Sequence, residues 1–164
     1  MPEVFVAAGS NIRPREHLCK ALGLMREAWP GLRVSSAYAN RAVGFEGDDF
    51  VNLVVGFRTD ESLAAVLDRL HAIEAACGRA REAAKWAPRS MDLDVLLYGD
   101  VVGEFPGAVL PRKDLLRRPY MLGPMAEVGP QVVHPTEGRR IGELWAEFDS
   151  AGHVMTPVSL DEGD

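Results

Sequence analysis

Residues 50–57 read FVNLVVGF, residues 61–77 read ESLAAVLDRLHAIEAAC, and residues 92–98 read DLDVLLY. The first and last of these runs are short and dominated by aliphatic and aromatic residues, which is typical of buried strands. The middle run repeats apolar residues every three or four positions, which predicts a helix with one apolar face, and Gly78 suits its C-terminal end. The sequence therefore predicts strand, helix and strand between residues 50 and 98.

The N-terminal part adds three more elements. Residues 3–11 (EVFVAAGSN) predict a short buried strand that ends in a Gly-Ser-Asn turn. Residues 14–29 predict a helix, because apolar residues recur at three- and four-residue spacing, and residues 32–38 predict another strand. The resulting order β-α-β-β-α-β predicts the α+β, ferredoxin-like fold, in which two helices pack on one face of an antiparallel sheet.

The C-terminal part is rich in proline, which interrupts long helices. We expect short helical additions there that wrap the sheet edge. Residues 146–164 end in a polar, acidic run and are expected to form a partly ordered tail. Because the sequence shows no internal repeat and no linker, we expect residues 1–164 to form a single domain.

Composition limits the classes of function. The chain has 164 residues, of which 47% are hydrophobic and 26% charged, and its formal net charge is −6. An acidic chain lacks the cationic field that general nucleic-acid or anionic-membrane binding requires. The sequence contains no apolar run of the roughly 20 residues that span a membrane, and its start has no basic, apolar leader. We therefore expect a cytoplasmic protein with no nucleic-acid or membrane partner, and a monomer.

Asp92 and Asp94 lie two residues apart on a predicted strand, so their side chains should project from one face about 7 Å apart. Such a pair suits Mg²⁺, although surface strands often present alternating acids that hold no metal. Two basic segments, residues 78–91 and residues 111–118, flank the pair, and each carries four arginines or lysines against one acid. Arginine matches phosphate oxygens, and the sequence has no G-x-x-x-x-G-K-[ST] phosphate loop. These features predict chemistry on a magnesium polyphosphate that is held by side chains.

The run WAPRSMDLDVLL at residues 86–97 resembles the signature of the hydroxymethyldihydropterin pyrophosphokinase family. That signature has a basic or aromatic lead-in, Pro-Arg, two residues, and Asp-aliphatic-Asp followed by aliphatic residues. Shorter matches occur in family order at Gly9-Ser10-Asn11, at Phe50-Val51-Asn52, at Glu74 with Gly78-Arg79, and at Arg118-Pro119-Tyr120-Met121-Leu122 with Pro124. The resemblance spans residues 4–135.

The resemblance implies an enzyme of folate biosynthesis that transfers the β,γ-diphosphoryl group of ATP to the hydroxymethyl group of 6-hydroxymethyl-7,8-dihydropterin and releases AMP. It implies two Mg²⁺ ions held by Asp92 and Asp94, and two catalytic arginines, Arg79 and Arg89. The implied ATP-binding residues are His71, Glu74, Arg81, Trp86, Arg112 and Arg118. The implied pterin-binding residues are Asn40, Val43, Phe50, Asn52 and Tyr120. Among these, Phe50 and Tyr120 would stack on the two faces of the ring, and Asn52 would bond its edge.

Three departures from the family pattern bear on substrate identity more than on reaction type. Pro111-Arg112 stands where a Pro-His pair is usual, so we expect arginine to replace a nucleotide-contacting histidine. Residues 40–44 read NRAVG where a segment containing proline is common. His71 stands where many members carry a polar contact to the nucleotide.

Two alternatives remain open at the level of sequence. The first is a diverged pyrophosphokinase that acts on another pterin-like substrate, which residues 40–42 and Arg112 would permit. The second is a noncatalytic ferredoxin-like binding module for RNA or an amino acid. The acidic net charge and the lack of an aromatic-rich RNA-binding segment argue against RNA, and paired aspartates with clustered arginines have no use in a sensor.

Overall fold

The computed structural model describes residues 1–40, 50–78, 91–149 and 155–160. The strands are β1 (Glu3–Ser10), β2 (Arg33–Val34), β3 (Ala37–Asn40), β4 (Phe50–Arg58), β5 (Asp92–Tyr98), β6 (Gly103–Phe105), β7 (Ala108–Leu110) and β8 (Thr156–Val158). The helices are α1 (Pro14–Ala28), α2 (Leu63–Ala76), α3 (Pro119–Val128) and α4 (Ile141–Glu147), and a 3₁₀ helix spans Lys113–Leu116. None of the helices in these ranges is long and apolar enough to cross a membrane.

The main sheet is antiparallel and has the strand order β5-β1-β4-β3-β8, with β2 also paired to β4. Strands β6 and β7 form a separate hairpin. The first elements along the chain follow the predicted β-α-β-β-α-β order, with the second strand of the prediction divided into β2 and β3. The predicted α+β, ferredoxin-like fold is confirmed.

Alternation along β1 divides the apolar core into two layers. Val4, Val6 and Ala8 face α1 and α2, which therefore lie on one side of the sheet as predicted. Phe5 and Ala7 face the other side, where α3 and α4 pack. The predicted short helical additions are present, but the expectation that they wrap the sheet edge is wrong. They cover the second face of the sheet, because the apolar side chains on that face would otherwise remain in water.

Strand β5 contains one residue more than its partner. Phe5 pairs with Leu97 and Val6 pairs with Val95, so Leu96 has no pairing partner on β1, as in a β-bulge. Leu96 and Leu97 consequently both enter the core on the α3 side. The bulge lies between the acidic start of the strand and its apolar end.

The strand predicted over residues 32–38 is divided at Ser35. The Ser35 side-chain oxygen accepts a hydrogen bond from the Val54 backbone N–H at 2.9 Å, so the side chain replaces part of the ladder where β2 ends. Helix α2 begins after Ser62, whose hydroxyl accepts from the Ala65 N–H at 3.2 Å, and Gly78 with φ +87° follows its end. The glycine stop at Gly78 is confirmed.

The segment 146–164 contains a strand that sequence periodicity does not indicate. Strand β8 pairs with β3 through Ala37↔Val158, Tyr38↔Pro157 and Ala39↔Thr156. It therefore covers an edge of the sheet that would otherwise expose unpaired backbone groups.

Candidate active site

The two aspartates of β5 lie on the α3 face of the sheet. Asp92 is paired with Gly9 and Asp94 with Ala7, and directly paired residues of an antiparallel sheet share a face. Gly9 is paired on its other side with Asn52 of β4. The sheet thus presents an acid pair and an amide across a floor of two small residues, and the predicted placement of both carboxylates on one face is confirmed.

Position 9 requires a small residue because the Asn52 side chain lies over it. A Cβ atom at position 9 would stand 2.5 Å from the Asn52 Oδ1 atom, a separation that real Cβ atoms do not show. Glycine at this position therefore lets the Asn52 side chain lie across β1. The Gly-Ser-Asn turn was part of the family resemblance, but nothing in the sequence indicated this contact.

The proposed pterin residues that the structure describes come from three elements. Phe50 is two residues from Asn52 on β4 and shares its face, and Asn40 of β3 is paired with Phe50. The Asn40 Oδ1 atom is buried and accepts no hydrogen bond from a described residue. Tyr120 lies in the first turn of α3, half-buried against the second core layer. Strand pairing brings Asn40, Phe50 and Asn52 together on the α3 face, and Tyr120 lies on α3, which packs against that face.

Tyr120 also lies near the charged part of the site. Burial raises the pKa of the Tyr120 hydroxyl, and the charges of Arg118, Asp114, Arg112 and Asp94 act on it in opposite directions. The Tyr120 hydroxyl on α3 is therefore within range of the charge of Asp94 on β5, although the two residues are far apart in sequence.

Arg112 connects the 3₁₀ helix to the acid pair. Its backbone N–H donates to the Leu96 carbonyl oxygen at 3.0 Å, which holds the residue beside β5. Its Nη1 atom lies 3.6 Å from Asp94 Oδ1, and its Nη2 atom lies 3.5 Å from Asp114 Oδ2. The basic segment at residues 111–118 thus touches the acid pair directly through the residue where the chain departs from the family pattern.

Glu74 supports the strand that carries the acids. It is buried on α2, and its Oε2 atom accepts a hydrogen bond at 2.8 Å from the backbone N–H of Leu93, the residue between Asp92 and Asp94. Among the strands that the structure describes, β5 lies at the edge of the main sheet, so this carboxylate satisfies a donor that none of their ladders uses. The contact is structural, and the implied role of Glu74 at the nucleotide stays a prediction.

Two further candidates are placed but not joined to the acid pair by a described contact. His71 is exposed on α2, one turn before Glu74. Arg118 is exposed at the N-cap of α3, next to Pro119. Val43, Arg79, Arg81, Trp86 and Arg89 lie outside the described residues.

Sequence reasoning missed a clamp between β3 and α3. Glu127 of α3 accepts a hydrogen bond from the Tyr38 hydroxyl at 2.7 Å through Oε2, and another from the Ser36 backbone N–H at 3.1 Å through Oε1. Burial, together with the hydrogen bond and charge of Glu127, raises the pKa of Tyr38. The clamp fixes α3, which carries Tyr120, to the strand that ends at Asn40. No local pattern predicts it, because its partners are some ninety residues apart in the chain.

The donor set fits magnesium. In the described ranges no group of three or more His, Cys, Asp or Glu side chains converges to hold a metal. A pair of carboxylates over a floor of Gly9 and Ala7 suits Mg²⁺, which takes one or two protein carboxylates and completes its shell with water and substrate phosphates. The ion pair of Asp94 with Arg112 shows that this carboxylate already draws a cation.

Comparison with known proteins identifies the family of the chain. The model of the family 7,8-dihydro-6-hydroxymethylpterin-pyrophosphokinase matches residues 5–130. The chain belongs to this family. Membership in the 7,8-dihydro-6-hydroxymethylpterin-pyrophosphokinase family confirms the resemblance found in the sequence and the class of enzyme that it implied.

Similar proteins named 2-amino-4-hydroxy-6-hydroxymethyldihydropteridine pyrophosphokinase occur in several bacteria. The one from Synechocystis sp. is 38% identical over 80% of this chain and 67% of its own length. The one from Pseudomonas aeruginosa is 36% identical over 94% of this chain and 96% of its own length, and the one from Aquifex aeolicus is 31% identical over 90% and 92%. These relatives extend the family match to nearly the whole chain.

A crystal structure of HPPK-DHPS in complex with substrates has a similar fold. It superposes with a TM-score of 0.67 over 88% of this chain at 14% sequence identity. This chain spans 43% of that longer protein. At this identity the likeness supports the fold alone.

Proposed function

We propose that the chain transfers the β,γ-diphosphoryl group of ATP to the hydroxymethyl group of 6-hydroxymethyl-7,8-dihydropterin, with release of AMP, as a pyrophosphokinase of folate biosynthesis. The observation that carries the proposal is that Asp92, Asp94, Asn52 and Phe50 share one face of the sheet, and the Tyr120 hydroxyl lies within range of the charge of Asp94. Family membership supports the same reaction.

Asp92 and Asp94 would hold two magnesium ions together with phosphate oxygens of ATP. Bound magnesium neutralises charge on the transferring group and lowers the pKa of the attacking hydroxyl. The carboxylates would fix the position of that charge beside Gly9 and Ala7, whose small side chains leave room above the sheet. With this arrangement the hydroxymethyl oxygen needs no strong general base from a side chain.

Phe50, Tyr120, Asn52, Asn40 and Val43 would bind the pterin. Aromatic rings on both faces of a flat heterocycle each contribute about 0.5–1.5 kcal/mol beyond area burial. The Asn52 amide offers both a donor and an acceptor to the mixed edge of the ring. The buried Asn40 Oδ1 atom is an acceptor that a pterin amino group would satisfy.

Arginines would hold the polyphosphate. We assign Arg79 and Arg89 to the transferring group, where forked cationic donors stabilise the charge that develops. Arg81, Trp86, Arg112, Arg118, His71 and Glu74 would complete the nucleotide site. Among these, Arg112 is in contact with the acid pair, which supports its place at the phosphates.

We further propose that the enzyme acts as a monomer in the cytoplasm, where ATP and reduced pterins are available. Asp92, Asp94 and Asn52 lie on one face of a single sheet of this chain, so these three residues need no second subunit to meet. Sedimentation at the concentration used for the assay tests the oligomeric state, and a stable dimer would contradict it.

The function is tested by following nucleotide products with purified chain, Mg-ATP and 6-hydroxymethyl-7,8-dihydropterin. We expect pterin-dependent formation of AMP and a pterin diphosphate. Formation of ADP, or ATP consumption that does not depend on the pterin, would contradict the proposal. Calorimetric titration of the same pterin in the presence of a non-hydrolysable ATP analogue separates this enzyme from a paralogue with another substrate, which would not bind it.

A further inference from the structure

Arg112 lies between two carboxylates and is held tightly by neither. Its guanidinium nitrogens are 3.6 Å from Asp94 and 3.5 Å from Asp114, whereas strong charge-assisted hydrogen bonds span about 2.7–2.9 Å. Roughly a third of each of these three side chains is exposed to solvent. The backbone of Arg112 is fixed to Leu96, so the side chain can move between the two acids without displacing the strand.

A second observation concerns the hydrogen bonding of Arg112. The Nε atom is buried and has no hydrogen-bond partner among the described residues. A buried N–H donor without a partner is unfavourable, so the side chain gains free energy when an acceptor arrives. A phosphate oxygen is an acceptor of the required kind, and arginine binds phosphate through such N–H groups.

We propose that Arg112 is the internal counter-ion of Asp94 in the metal-free site, and that it transfers to Asp114 and the ATP phosphates when a divalent cation takes its place. The proposal rests on the assignment of Asp94 as a metal ligand. Its consequence is that cation and nucleotide bind cooperatively: the cation must displace the guanidinium, and the nucleotide gives the displaced guanidinium a new partner. Arg112 thus couples occupancy of the metal site to binding of the nucleotide.

The test measures Mn²⁺ binding by electron paramagnetic resonance, first without nucleotide and then with a non-hydrolysable ATP analogue. Without nucleotide, Arg112→Gln should bind Mn²⁺ about 1.5- to 5-fold more tightly than the parent, the range that corresponds to a partly exposed ion pair. With the analogue present, this advantage should vanish or reverse, because the variant has lost a phosphate partner. Arg117→Gln is the matched control, because it removes the same charge from an exposed position of the same basic segment.

Substitution of Asp114 should change Mn²⁺ affinity in the direction opposite to substitution of Arg112. Asp114→Asn should weaken Mn²⁺ binding in the absence of nucleotide. Of its two ion pairs, Arg112 then loses the one with Asp114 and keeps the one with Asp94. In the Arg112→Gln background the same substitution should have much less effect, and a double-mutant cycle measures the difference. If Asp114→Asn weakened Mn²⁺ binding equally in the parent and in the Arg112→Gln background, the proposal would be overturned, since the effect would reflect only loss of a nearby negative charge.

The outcomes separate this inference from the proposed function. If Asp94→Asn removes Mn²⁺ binding but Arg112→Gln behaves like Arg117→Gln, the counter-ion role is wrong and the metal site stands. If Mn²⁺ binds equally well to the parent and to Asp94→Asn, with or without the analogue, both the counter-ion role and the metal assignment are wrong.

Discussion

The Asn52 side chain lies across Gly9, with its Oδ1 atom where a Cβ of residue 9 would be only 2.5 Å away. Gly9 is also paired with Asp92 on its other side. One glycine thus sets the spacing between the Asn52 amide, proposed to bind the pterin edge, and the Asp92 carboxylate, proposed to hold the metal.

Gly9→Ala should therefore impair pterin binding selectively. The added methyl group must displace the Asn52 side chain, and overpacking of this kind typically costs about 1–3 kcal/mol. We expect weaker binding of the reduced pterin by calorimetry, with binding of a non-hydrolysable ATP analogue nearly unchanged. Gly23→Ala is the matched control: an added Cβ there meets nothing within 4 Å, and alanine in a helix interior should be neutral or stabilising. If Gly9→Ala bound the pterin as tightly as the parent, the assignment of Asn52 to the pterin site would be wrong.

Asp92→Asn and Asp94→Asn should each abolish most turnover and leave the fold intact. Each change keeps the shape of the side chain but weakens a proposed metal ligand, and loss of metal-derived charge stabilisation of several kcal/mol corresponds to about 10³-fold or more in rate. AMP release measures turnover, and thermal unfolding reports the fold. Asp100→Asn, in the exposed turn after β5, controls for loss of an acid near the strand and should behave like the parent. Turnover near the parent level in either site variant at ordinary Mg²⁺ would contradict the assignment.

Glu74→Ala should lower stability and turnover together. It leaves the Leu93 N–H without its acceptor on an edge strand, which costs about 1–3 kcal/mol. Glu74→Gln keeps an acceptor oxygen for Leu93 and should recover much of the free energy of unfolding, as measured in urea. If both variants are as stable as the parent but bind the ATP analogue weakly, Glu74 serves the nucleotide alone.

The free energy of unfolding should fall as the pH decreases below about 6.5, and His134 should cause part of that fall. Burial lowers the pKa of His134 from its ordinary 6.5. Its Nδ1 atom accepts the backbone N–H groups of Thr136 at 3.3 Å and Glu137 at 3.2 Å, so a proton on Nδ1 would break both contacts. Because the folded pKa lies below the unfolded one, the folded protein binds fewer protons, and its stability is present above the unfolded pKa and lost at lower pH.

His134→Asn tests this assignment, since asparagine accepts backbone N–H groups two residues ahead but does not titrate. Urea unfolding near pH 5.5 and near pH 7.5 should show a smaller difference between the two pH values in this variant than in the parent. His71→Asn, at an exposed position, should leave the difference unchanged. An equal pH dependence in the parent and His134→Asn would show that other groups dominate.

Local sequence pattern predicts the first part of the fold well. Alternation in the strand over residues 92–98 placed Asp92 and Asp94 on one face, and helical spacing with Gly78 placed α2 and its end. Both depend on interactions between neighbours in the chain, which is why a single sequence reveals them.

Long-range packing explains what the sequence did not reveal. Helix α3 contains Pro124, which local propensity counts against a helix, yet Met121, Leu122 and Met125 are buried against the second face and outweigh that cost. The Glu127 clamp and the pairing of β8 with β3 join segments far apart in the chain, and no local periodicity encodes them. The family resemblance supplied the candidate site residues, but the contacts of Arg112 with Asp94 and Asp114 arise only in the fold, which holds Arg112 beside β5.

Because Leu96 has no pairing partner on β1, the effect of deleting one residue from β5 depends on where the deletion falls. Without Leu96, residues 92–95 and 97–98 would still meet their present partners on β1, and the ladder would become regular. Deletion of any residue between Asp92 and Val95 would instead shift one end of the strand by one position and turn its side chains to the opposite face. Because residues 96 and 97 are both leucine, deletion of either gives the same chain, in which the orientation of the acids is preserved at the cost of one fully buried leucine.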